Sequence, residues 1–221
     1  MTVPTAGSRP HLLNNLIRDS GLPLENIVVV VTKEGVEVPR GVVEILDLDP
    51  PNIQRWWNRG VEEATRRGAT VVAVVNDDIK VSADTLPLLA TALKQTGATI
   101  ASPSRPPSKD KKYGRPLIPY SPRIWGCLWV LDATSTLRAN EKYVWWYGDC
   151  DLDIRARRDF GGVVNVHVDF EHLHSGEGTA KSSALLAQSD RDALTYQSEY
   201  ARIISSTRVV MQLKRLLRIT K

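Results

Sequence analysis

The sequence is poor in cysteine and contains no long apolar run. Its 221 residues include two cysteines, Cys127 and Cys150, whose spacing matches no common metal-binding motif. This excludes a disulfide-rich secreted scaffold, and a cytoplasmic protein without a secretion signal is expected. The longest apolar runs, Ile27–Val31 and Val71–Val75, are far too short to span a bilayer and match buried strands instead. A transmembrane protein is therefore not predicted.

The composition also lacks a strong charge bias. Lysine and arginine outnumber aspartate and glutamate by 29 to 25, which gives a formal net charge of +4. With 42% hydrophobic and 24% charged residues, the composition is that of a folded globular protein rather than a disordered one. The weak positive charge fits the binding of phosphates, nucleic acid or an anionic surface, and it does not distinguish among them.

Short β-rich runs alternate with helical segments along most of the chain. Strands are predicted at Met1–Pro4, Asn26–Val31, Val42–Leu46, Val71–Val75, Ala98–Ala101, Ile124–Leu131 and Val163–Val168. Helices are predicted at Pro10–Ser20, Asn52–Arg67, Ser82–Lys94, Asp149–Phe160 and from Ser183 onward. This order predicts an α/β fold, with a mostly parallel, Rossmann-like sheet covered by helices on both faces. Ligands of such sheets bind beyond the carboxyl ends of the strands, here after Val31 and Val75.

The chain is predicted to form one α/β domain over residues 1–182, followed by a helical tail over residues 183–221. Residues 1–102 carry the regular alternation and form the first half of the domain. The second half, residues 103–182, begins with a stretch rich in proline, serine and lysine (residues 103–122), whose length predicts a functional loop. The basic character of the tail predicts weak contact with an anionic surface.

Polar residues directly follow the buried strand Val71–Val75. Asn76, Asp77 and Asp78 emerge at the ligand edge of the predicted sheet, where adjacent carboxylates need a cation or hydrogen-bond donors to compensate them. Oxygen ligands of this kind suit Mg²⁺ or Mn²⁺, which in turn bind diphosphates. A turn that caps the following helix is the alternative interpretation of the same residues.

A second acidic segment combines tryptophans with the start of a helix. Trp145 and Trp146 precede Asp149 and Asp151, and Arg155 lies one helical turn further on. Helix-start electrostatics and an Asp151–Arg155 pair are one explanation of the acids. That explanation does not account for the tryptophans. An indole beside a carboxylate is what a sugar-acceptor site requires, because the ring stacks on the sugar while the acid removes a hydroxyl proton.

Three of the four histidines occur close together, from the end of the strand predicted at Val163–Val168 onward. His172 and His174 are two residues apart, so on a strand they share a face and both can reach one metal ion. His167 has the opposite register and is predicted to be structural. The alternative for His172 and His174 is a pair of partly exposed side chains near a turn.

Together these segments resemble the motifs of family 2 glycosyltransferases, which have the GT-A fold. Asn76-Asp77-Asp78 resembles the Asp-x-Asp signature of that family, in the Asn-first form typical of its rhamnosyltransferase-like branch. The segment from Trp145 to Arg155 resembles its aromatic-Glu-Asp-x-Asp-Leu motif, with Gly148 in place of the usual first acid. The resemblance covers residues 2–180 and depends on the order and spacing of the motifs.

The resemblance implies a metal site, a catalytic base and an acceptor site. Asp78 and a histidine, with His174 preferred to His172, would hold Mn²⁺ or Mg²⁺. Asp149 would be the catalytic base that deprotonates the acceptor. The acceptor itself would be bound by Gly126, Trp145, Trp146 and Asp151.

Further residues resemble the donor site of the family. Pro4-Thr5 ends the first strand and Arg9 follows it, and Asn58 lies in an Asn-x-Gly pattern on a helix. The family generally has an aspartate after the second strand, whereas this chain has Glu34, which leaves UDP, dTDP and GDP donors open. The resemblance implies that the donor is bound by Pro4, Thr5, Arg9, Glu34, Asn58, Asn76 and Asp77.

The predicted reaction is a metal-dependent, inverting transfer of a sugar from a nucleotide-sugar donor to an acceptor hydroxyl. Glycans, proteins, small molecules and modified DNA all remain open as acceptors. A nucleotidyltransferase is one alternative, for which Thr5–Arg9 would be a faint version of a glycine-rich basic loop. A non-catalytic nucleic-acid-binding protein is the other, based on basic runs such as Lys109–Arg115 and Lys214–Lys221.

Overall fold

The structure is a computed structural model that describes residues 1–104, 110–115, 117–174 and 183–219, with the side chains of 216–219 excepted. Its strands are β1 (Thr2–Thr5), β2 (Val28–Val31), β3 (Val43–Leu46), β4 (Val71–Val75), β5 (Ile79–Val81), β6 (Ile100–Pro103), β7 (Lys111–Tyr113), β8 (Leu128–Asp132), β9 (Val163–Val166) and β10 (Phe170–His172). Its helices are α1 (Pro10–Asp19), α2 (Ile53–Arg66), α3 (Thr85–Thr96), α4 (Gly148–Asp159), α5 (Ser183–Glu199) and α6 (Ala201–Ile219), with a short 3₁₀ turn at Leu24–Asn26.

Eight of the described strands form one mixed sheet, in the order β3-β2-β1-β4-β8-β6-β9-β7. Strands β1 to β4 are parallel, and β8 runs antiparallel to both of its neighbours, β4 and β6. A separate antiparallel pair is made by β5 and β10, in which Ile79 lies opposite His172. The predicted α/β fold with a mostly parallel sheet is confirmed.

Helices cover both faces of the sheet, because successive residues of each strand point to opposite sides. In β4, Ala73 and Val75 belong to a core cluster with apolar residues of α1 and α3. Val72 and Val74 belong to a second cluster with apolar residues of α2 and α4. The carboxyl ends of β1, β2 and β4 therefore open between two layers of helices, at the edge where ligands were expected.

Local signals explain where several helices begin and end. The Asn52 side chain accepts a hydrogen bond from the Arg55 N–H at 3.1 Å, which confirms the predicted N-cap of α2. Helix α3 begins at Thr85 rather than at Ser82, because the Ser82 carbonyl accepts the Thr85 N–H in a turn before the helix. It ends at Gly97, whose φ of +60° is in the left-handed region that favours glycine.

Three short strands and several strand boundaries differ from the prediction. The three-residue strands β5, β7 and β10 were not predicted, because runs this short have no measurable periodicity. Strand β6 begins two residues later than Ala98, and β8 begins at Leu128 rather than at Ile124. Since β8 starts late, Gly126 and Cys127 form a turn before the strand instead of part of it.

The C-terminal helices pack on the domain rather than extending from it as a free tail. Tyr196 and Tyr200 share a small apolar cluster with Tyr143 and with Ile154 of α4. Helical hydrogen bonds continue across the junction of α5 and α6, from Tyr200 N–H to the Tyr196 carbonyl. The predicted boundary between residues 182 and 183 borders residues 175–182, which lie outside the described residues. Of the helices described, none combines the length and apolar content needed to cross a membrane.

Candidate active site

The carboxyl ends of β1 and β4 bring together Thr5, Arg9 and the acidic residues that follow β4. The Thr5 hydroxyl donates to Asp77 Oδ2 at 2.6 Å. Burial raises the pKa of Asp77, and the neighbouring Asp78 raises it further, while Thr5 and the Arg9 charge act in the opposite direction. The charge of Arg9 also acts on Asp78, so the two carboxylates lie in the field of this guanidinium. The predicted proximity of Thr5, Arg9 and the acidic strand end is therefore present in the structure.

Asp78 has a histidine partner. His172 Nε2 lies 3.3 Å from Asp78 Oδ2, because β5 and β10 pair directly beside the acidic residues. The carboxylate of Asp78, followed by the thiol of Cys127, raises the pKa of His172 to about 10. Burial is the largest single influence on Asp78 and raises its pKa, but the hydrogen bond and charge of His172, together with a backbone hydrogen bond and the charge of Arg9, bring the pKa below its ordinary value. The structure thus pairs Asp78 with His172, and the preference of the sequence for His174 as the metal ligand stays a prediction.

Two oxygen atoms at this strand end have no protein partner. Asn76 Oδ1 and Asp78 Oδ1 are both buried and accept no hydrogen bond from any described residue. Oxygens left in this state cost free energy unless a cation, water or a ligand donor compensates them. Within the described ranges, no three His, Cys, Asp or Glu side chains are placed to hold a metal ion by themselves.

The second acidic segment supplies Asp149, in the first turn of α4. Asp149 Oδ1 accepts the Cys150 N–H at 2.9 Å. Its other oxygen, Oδ2, lies so close to Gly126 that a Cβ added to this glycine would be only 3.2 Å away. Glycine at position 126 therefore lets the turn before β8 approach this carboxylate closely.

The turn Gly126-Cys127 connects the two acidic segments. Gly126 lies against Asp149, and the Cys127 thiol contacts His172, the partner of Asp78. The Cys127 carbonyl also accepts the Asn76 N–H at 2.9 Å. One edge of the sheet therefore holds both acidic segments, as the resemblance predicted, with this turn between them. The contribution of Cys127 was missed, because its spacing along the sequence carries no metal-binding signal.

The absence of an acid at position 148 has a steric reason. A Cβ at Gly148 would overlap the amide atoms of Gln54, a residue of α2 that is fully buried. Neither amide atom of Gln54 has a hydrogen-bond partner among the described residues. The Gln54 side chain therefore occupies the space that a side chain at position 148 would need.

Asp151 has a different role from the predicted contact with an acceptor. It is 1% exposed, and its carboxylate accepts Arg155 Nε at 2.8 Å and the Tyr200 hydroxyl at 2.6 Å. The carboxylate is therefore engaged inside the protein, between α4 and Tyr200, and is not accessible to a sugar. Asp151 and Arg155 lie one helical turn apart and form the ion pair that was the alternative explanation of these acids.

The tryptophans lie at the start of α4, beside α2. Trp145 makes an edge-to-face contact with Trp56, with ring centroids 5.5 Å apart. Both Trp145 and Trp146 are partly exposed, so surface remains for a ligand. Their role in acceptor binding stays a prediction.

Three of the predicted donor residues have positions that the sequence did not anticipate. The Asn58 amide is fully engaged, because it donates to the Ala139 carbonyl at 3.0 Å and accepts the Ala139 N–H at 2.9 Å. This pairing orders the loop after β8, so Asn58 has a structural role rather than a free amide for a nucleotide. Glu34 lies exposed in a turn after β2, and Pro4 is buried within β1 opposite Val30.

Structural comparison identifies similar proteins, whereas no protein-family model and no curated protein sequence matches the chain. The structure of S. aureus TarS 1-349 in complex with UDP-GlcNAc is similar with a TM-score of 0.55 and 10% identity, over 90% of this chain and 72% of that chain. The complex of TarS 1-349 with UDP gives a TM-score of 0.54 and 12% identity. TarS 1-349 without a named ligand gives 0.53 and 11%. These last two comparisons cover 75% of this chain and 56% of TarS 1-349, so the chain matches little more than half their length.

At identities of 10–12% these similarities establish the fold alone. The chain shares with the TarS structures an α/β fold, in which a large, mostly parallel sheet is covered by helices. The similarity does not support assignment to the rhamnosyltransferase-like branch that the sequence resembled.

Proposed function

We propose that the chain is a glycosyltransferase that uses a nucleotide-sugar donor. The observation that carries this proposal is the meeting of two acidic segments across the turn Gly126-Cys127, at the ligand edge of a GT-A sheet. One segment, Asn76–Asp78, has the oxygens that a diphosphate-bound cation requires. The other presents Asp149 at a helix start beside partly exposed tryptophans. Sugar transfer needs these two functions side by side.

The residues present fit a divalent cation. The unpartnered oxygens of Asn76 and Asp78 are hard ligands of the kind that Mg²⁺ and Mn²⁺ prefer, and His172 is in contact with Asp78. Mg²⁺ is usually held by one or two carboxylates together with substrate phosphates, so the carboxylate of Asp78 and the amide oxygen of Asn76 would suit it together with a donor diphosphate. A bound cation would neutralise charge on the departing diphosphate.

The proposed reaction is a single displacement with inversion at the anomeric carbon. The acceptor oxygen forms a bond to the anomeric carbon. At the same time the bond between this carbon and the diphosphate oxygen breaks, and the nucleoside diphosphate leaves. Asp149 accepts the proton that the acceptor hydroxyl loses. Gly126 leaves room beside Asp149 Oδ2, and Trp145 and Trp146 offer apolar surface on which a sugar ring stacks.

A UDP-linked sugar is the first donor to test. The TarS structures are described as complexes with UDP and with UDP-GlcNAc, and the fold is shared. The chain departs from the family after β2, where Glu34 lies in an exposed turn, so dTDP- and GDP-linked sugars belong in the same experiment.

The test is a panel of nucleotide sugars with Mn²⁺, scored by thermal shift and by slow hydrolysis of the donor. We expect at least one donor to raise the melting temperature and to release a nucleoside diphosphate. Release of pyrophosphate from a nucleoside triphosphate and a sugar phosphate would instead indicate a nucleotidyltransferase. Binding of DNA in low salt without any response to a nucleotide sugar would support the nucleic-acid-binding alternative and refute the proposal.

A further inference from the structure

A buried carboxylate of α5 binds the backbone that leads into the candidate active site. Asp192 is 1% exposed. Its Oδ2 accepts the N–H groups of Trp145 at 2.9 Å and Trp146 at 3.0 Å, and its Oδ1 accepts that of Val144 at 3.2 Å. The Gln188 side chain also donates to Oδ1, at 2.7 Å. Three consecutive backbone donors thus converge on one side chain from the C-terminal part of the chain.

Two further residues, Tyr196 of α5 and Tyr200 directly after the end of α5, contact the next residues of this segment. Tyr196 lies one turn after Asp192, and its ring stacks on Tyr147 with centroids 5.0 Å apart and an interplanar angle of 22°. Tyr200 lies one turn further, and its hydroxyl donates to Asp151. Spacings of four residues place these side chains on one helix face. The face therefore contacts the segment at Val144–Trp146, at Tyr147 and again within α4.

The backbone held by these contacts is strained at one residue. Tyr147 has a φ of +63°, and it is the only non-glycine residue with a positive φ in the described part of the chain. A bulky residue in this region is unfavourable and persists only where its surroundings impose it. Because Tyr147 is followed directly by Gly148 and Asp149, its conformation sets the direction in which α4 and the candidate base begin.

We propose that Asp192 is a positioning residue, which acts through the backbone of residues 144–146 to fix Trp145, Trp146 and Asp149 in the geometry for transfer. This role rests on the proposed function. An aspartate suits it because a carboxylate offers two acceptor oxygens to a row of N–H donors, whereas an asparagine amide offers one. Hydrogen bonds from backbone N–H groups also compensate the burial of its charge.

The test compares Asp192→Asn with Asp190→Asn, which makes the same change at an exposed position of the same helix. Hydrogen exchange and donor hydrolysis are measured for both variants. We expect amides 144–146 to exchange faster in Asp192→Asn and kcat to fall about tenfold or more, with the donor KM changed less than about twofold. Asp190→Asn is expected to match the wild type in both measurements.

If Asp192→Asn does not fold, Tyr200→Phe is measured in its place. Tyr200→Phe removes only the hydroxyl that contacts Asp151 and keeps the ring in its apolar cluster. It is expected to lower kcat about threefold to tenfold, again with little change in the donor KM.

The results separate the two proposals. A wild-type protein that neither binds nor hydrolyses any nucleotide sugar would refute the proposed function and the positioning role with it. A wild-type protein that is active, together with an Asp192→Asn variant of unchanged kcat, would refute the positioning role alone. Equal losses of stability, donor binding and turnover would show that Asp192 supports the fold without positioning the site.

Discussion

Three of the four aspartates of α4 lie near its start, but they differ in what they contact. Asp149 accepts a backbone N–H and is partly exposed beside Gly126. Asp151 and Asp153 are buried and paired with Arg155 and Arg157. A group that removes a proton from a substrate must reach it, so only Asp149 combines accessibility with a position beside the acidic strand end.

Replacing Asp149 with asparagine keeps the size of the side chain and removes its basicity. We expect Asp149→Asn to lower sugar transfer by about 10²–10⁴-fold, the usual effect of losing a general base, while donor binding stays close to that of the wild type. Transfer is measured by nucleoside diphosphate release, and donor affinity by calorimetry. Asp159→Asn, at the exposed end of the same helix, is the matched control. Equal losses of transfer and donor binding would contradict the assignment of Asp149 as the base.

His172 and His174 can be distinguished by parallel substitutions. His172 contacts Asp78, so we expect His172→Gln to lower Mn²⁺-dependent donor hydrolysis about tenfold or more and to raise the Mn²⁺ concentration needed for half-maximal rate. His174→Gln is expected to have a smaller effect. The measurement is a Mn²⁺ titration of both variants at saturating donor. The opposite ranking would restore His174, the histidine that the sequence favoured, as the residue that acts with Asp78.

At the scale of elements, α4 carries a carboxylate whose burial is only partly compensated. Asp153 is fully buried, and it accepts the Arg123 N–H at 3.2 Å and pairs with Arg157 at 3.3 Å. Burial is the largest influence and raises the pKa of Asp153 to about 6, against the effect of Arg157. The helix that presents Asp149 thus contains a group that titrates in a mildly acidic range.

This titration predicts a pH-dependent difference between the wild type and Asp153→Asn. The folded-state pKa of Asp153 lies above the ordinary value of 3.8. Between these two values the folded state therefore keeps a proton that the unfolded state has lost. The resulting stabilisation is complete below the ordinary value and is lost as the pH rises through about 6. Asp153→Asn has no carboxyl group to titrate, so its stability does not fall in this way. The free energy of unfolding of the variant minus that of the wild type is therefore expected to rise by about 1 kcal/mol between pH 5 and pH 8. Denaturant unfolding measures it, and a difference that stays constant with pH would contradict the burial of an ionisable Asp153.

Helix α2 approaches β1 closely at Gly60. A Cβ at this position would overlap Thr2 Oγ1 and lie 2.7 Å from Thr2 Cβ, inside the sheet that supports Thr5. We expect Gly60→Ala to lower the free energy of unfolding by about 1–3 kcal/mol, because overpacking outweighs the helix propensity of alanine. Chemical denaturation measures the change. Gly114→Ala, where nothing lies within 4 Å of the added carbon, is the control and is expected to be close to neutral.

At the scale of the whole molecule, the parallel half of the sheet could be predicted from the sequence. Apolar runs such as Val71–Val75 match buried strands, and Asn52 marks the start of α2. Because parallel strands place their carboxyl ends at one edge, ligand-binding residues were expected after Val31 and Val75, and Asp77, which follows β4, contacts Thr5 at the end of β1 there. For this half of the sheet, the apolar pattern of the strands and the rule that ligands bind at the carboxyl ends of parallel strands were sufficient.

The remaining features depend on contacts between distant parts of the chain. His172 meets Asp78 through the pairing of two three-residue strands, which have too few residues to show a period. Asp192 lies in a helix that the sequence describes only as polar and basic, and its role depends on packing against residues 144–146. The sequence around Asp151 is compatible with an exposed or a buried side chain. Its burial depends on contacts such as the hydrogen bond from Tyr200, which is distant in the sequence.

The central claim is that the acidic strand end binds a nucleotide sugar through a divalent cation, within reach of Asp149. The most direct measurement is calorimetric titration of a responding nucleotide sugar into the wild type and into Asp78→Asn, with Mn²⁺ and with the metal chelated. We predict binding that requires Mn²⁺ in the wild type and that Asp78→Asn weakens by about tenfold or more. Equal affinity in the variant, or equal affinity without the metal, would contradict the claim.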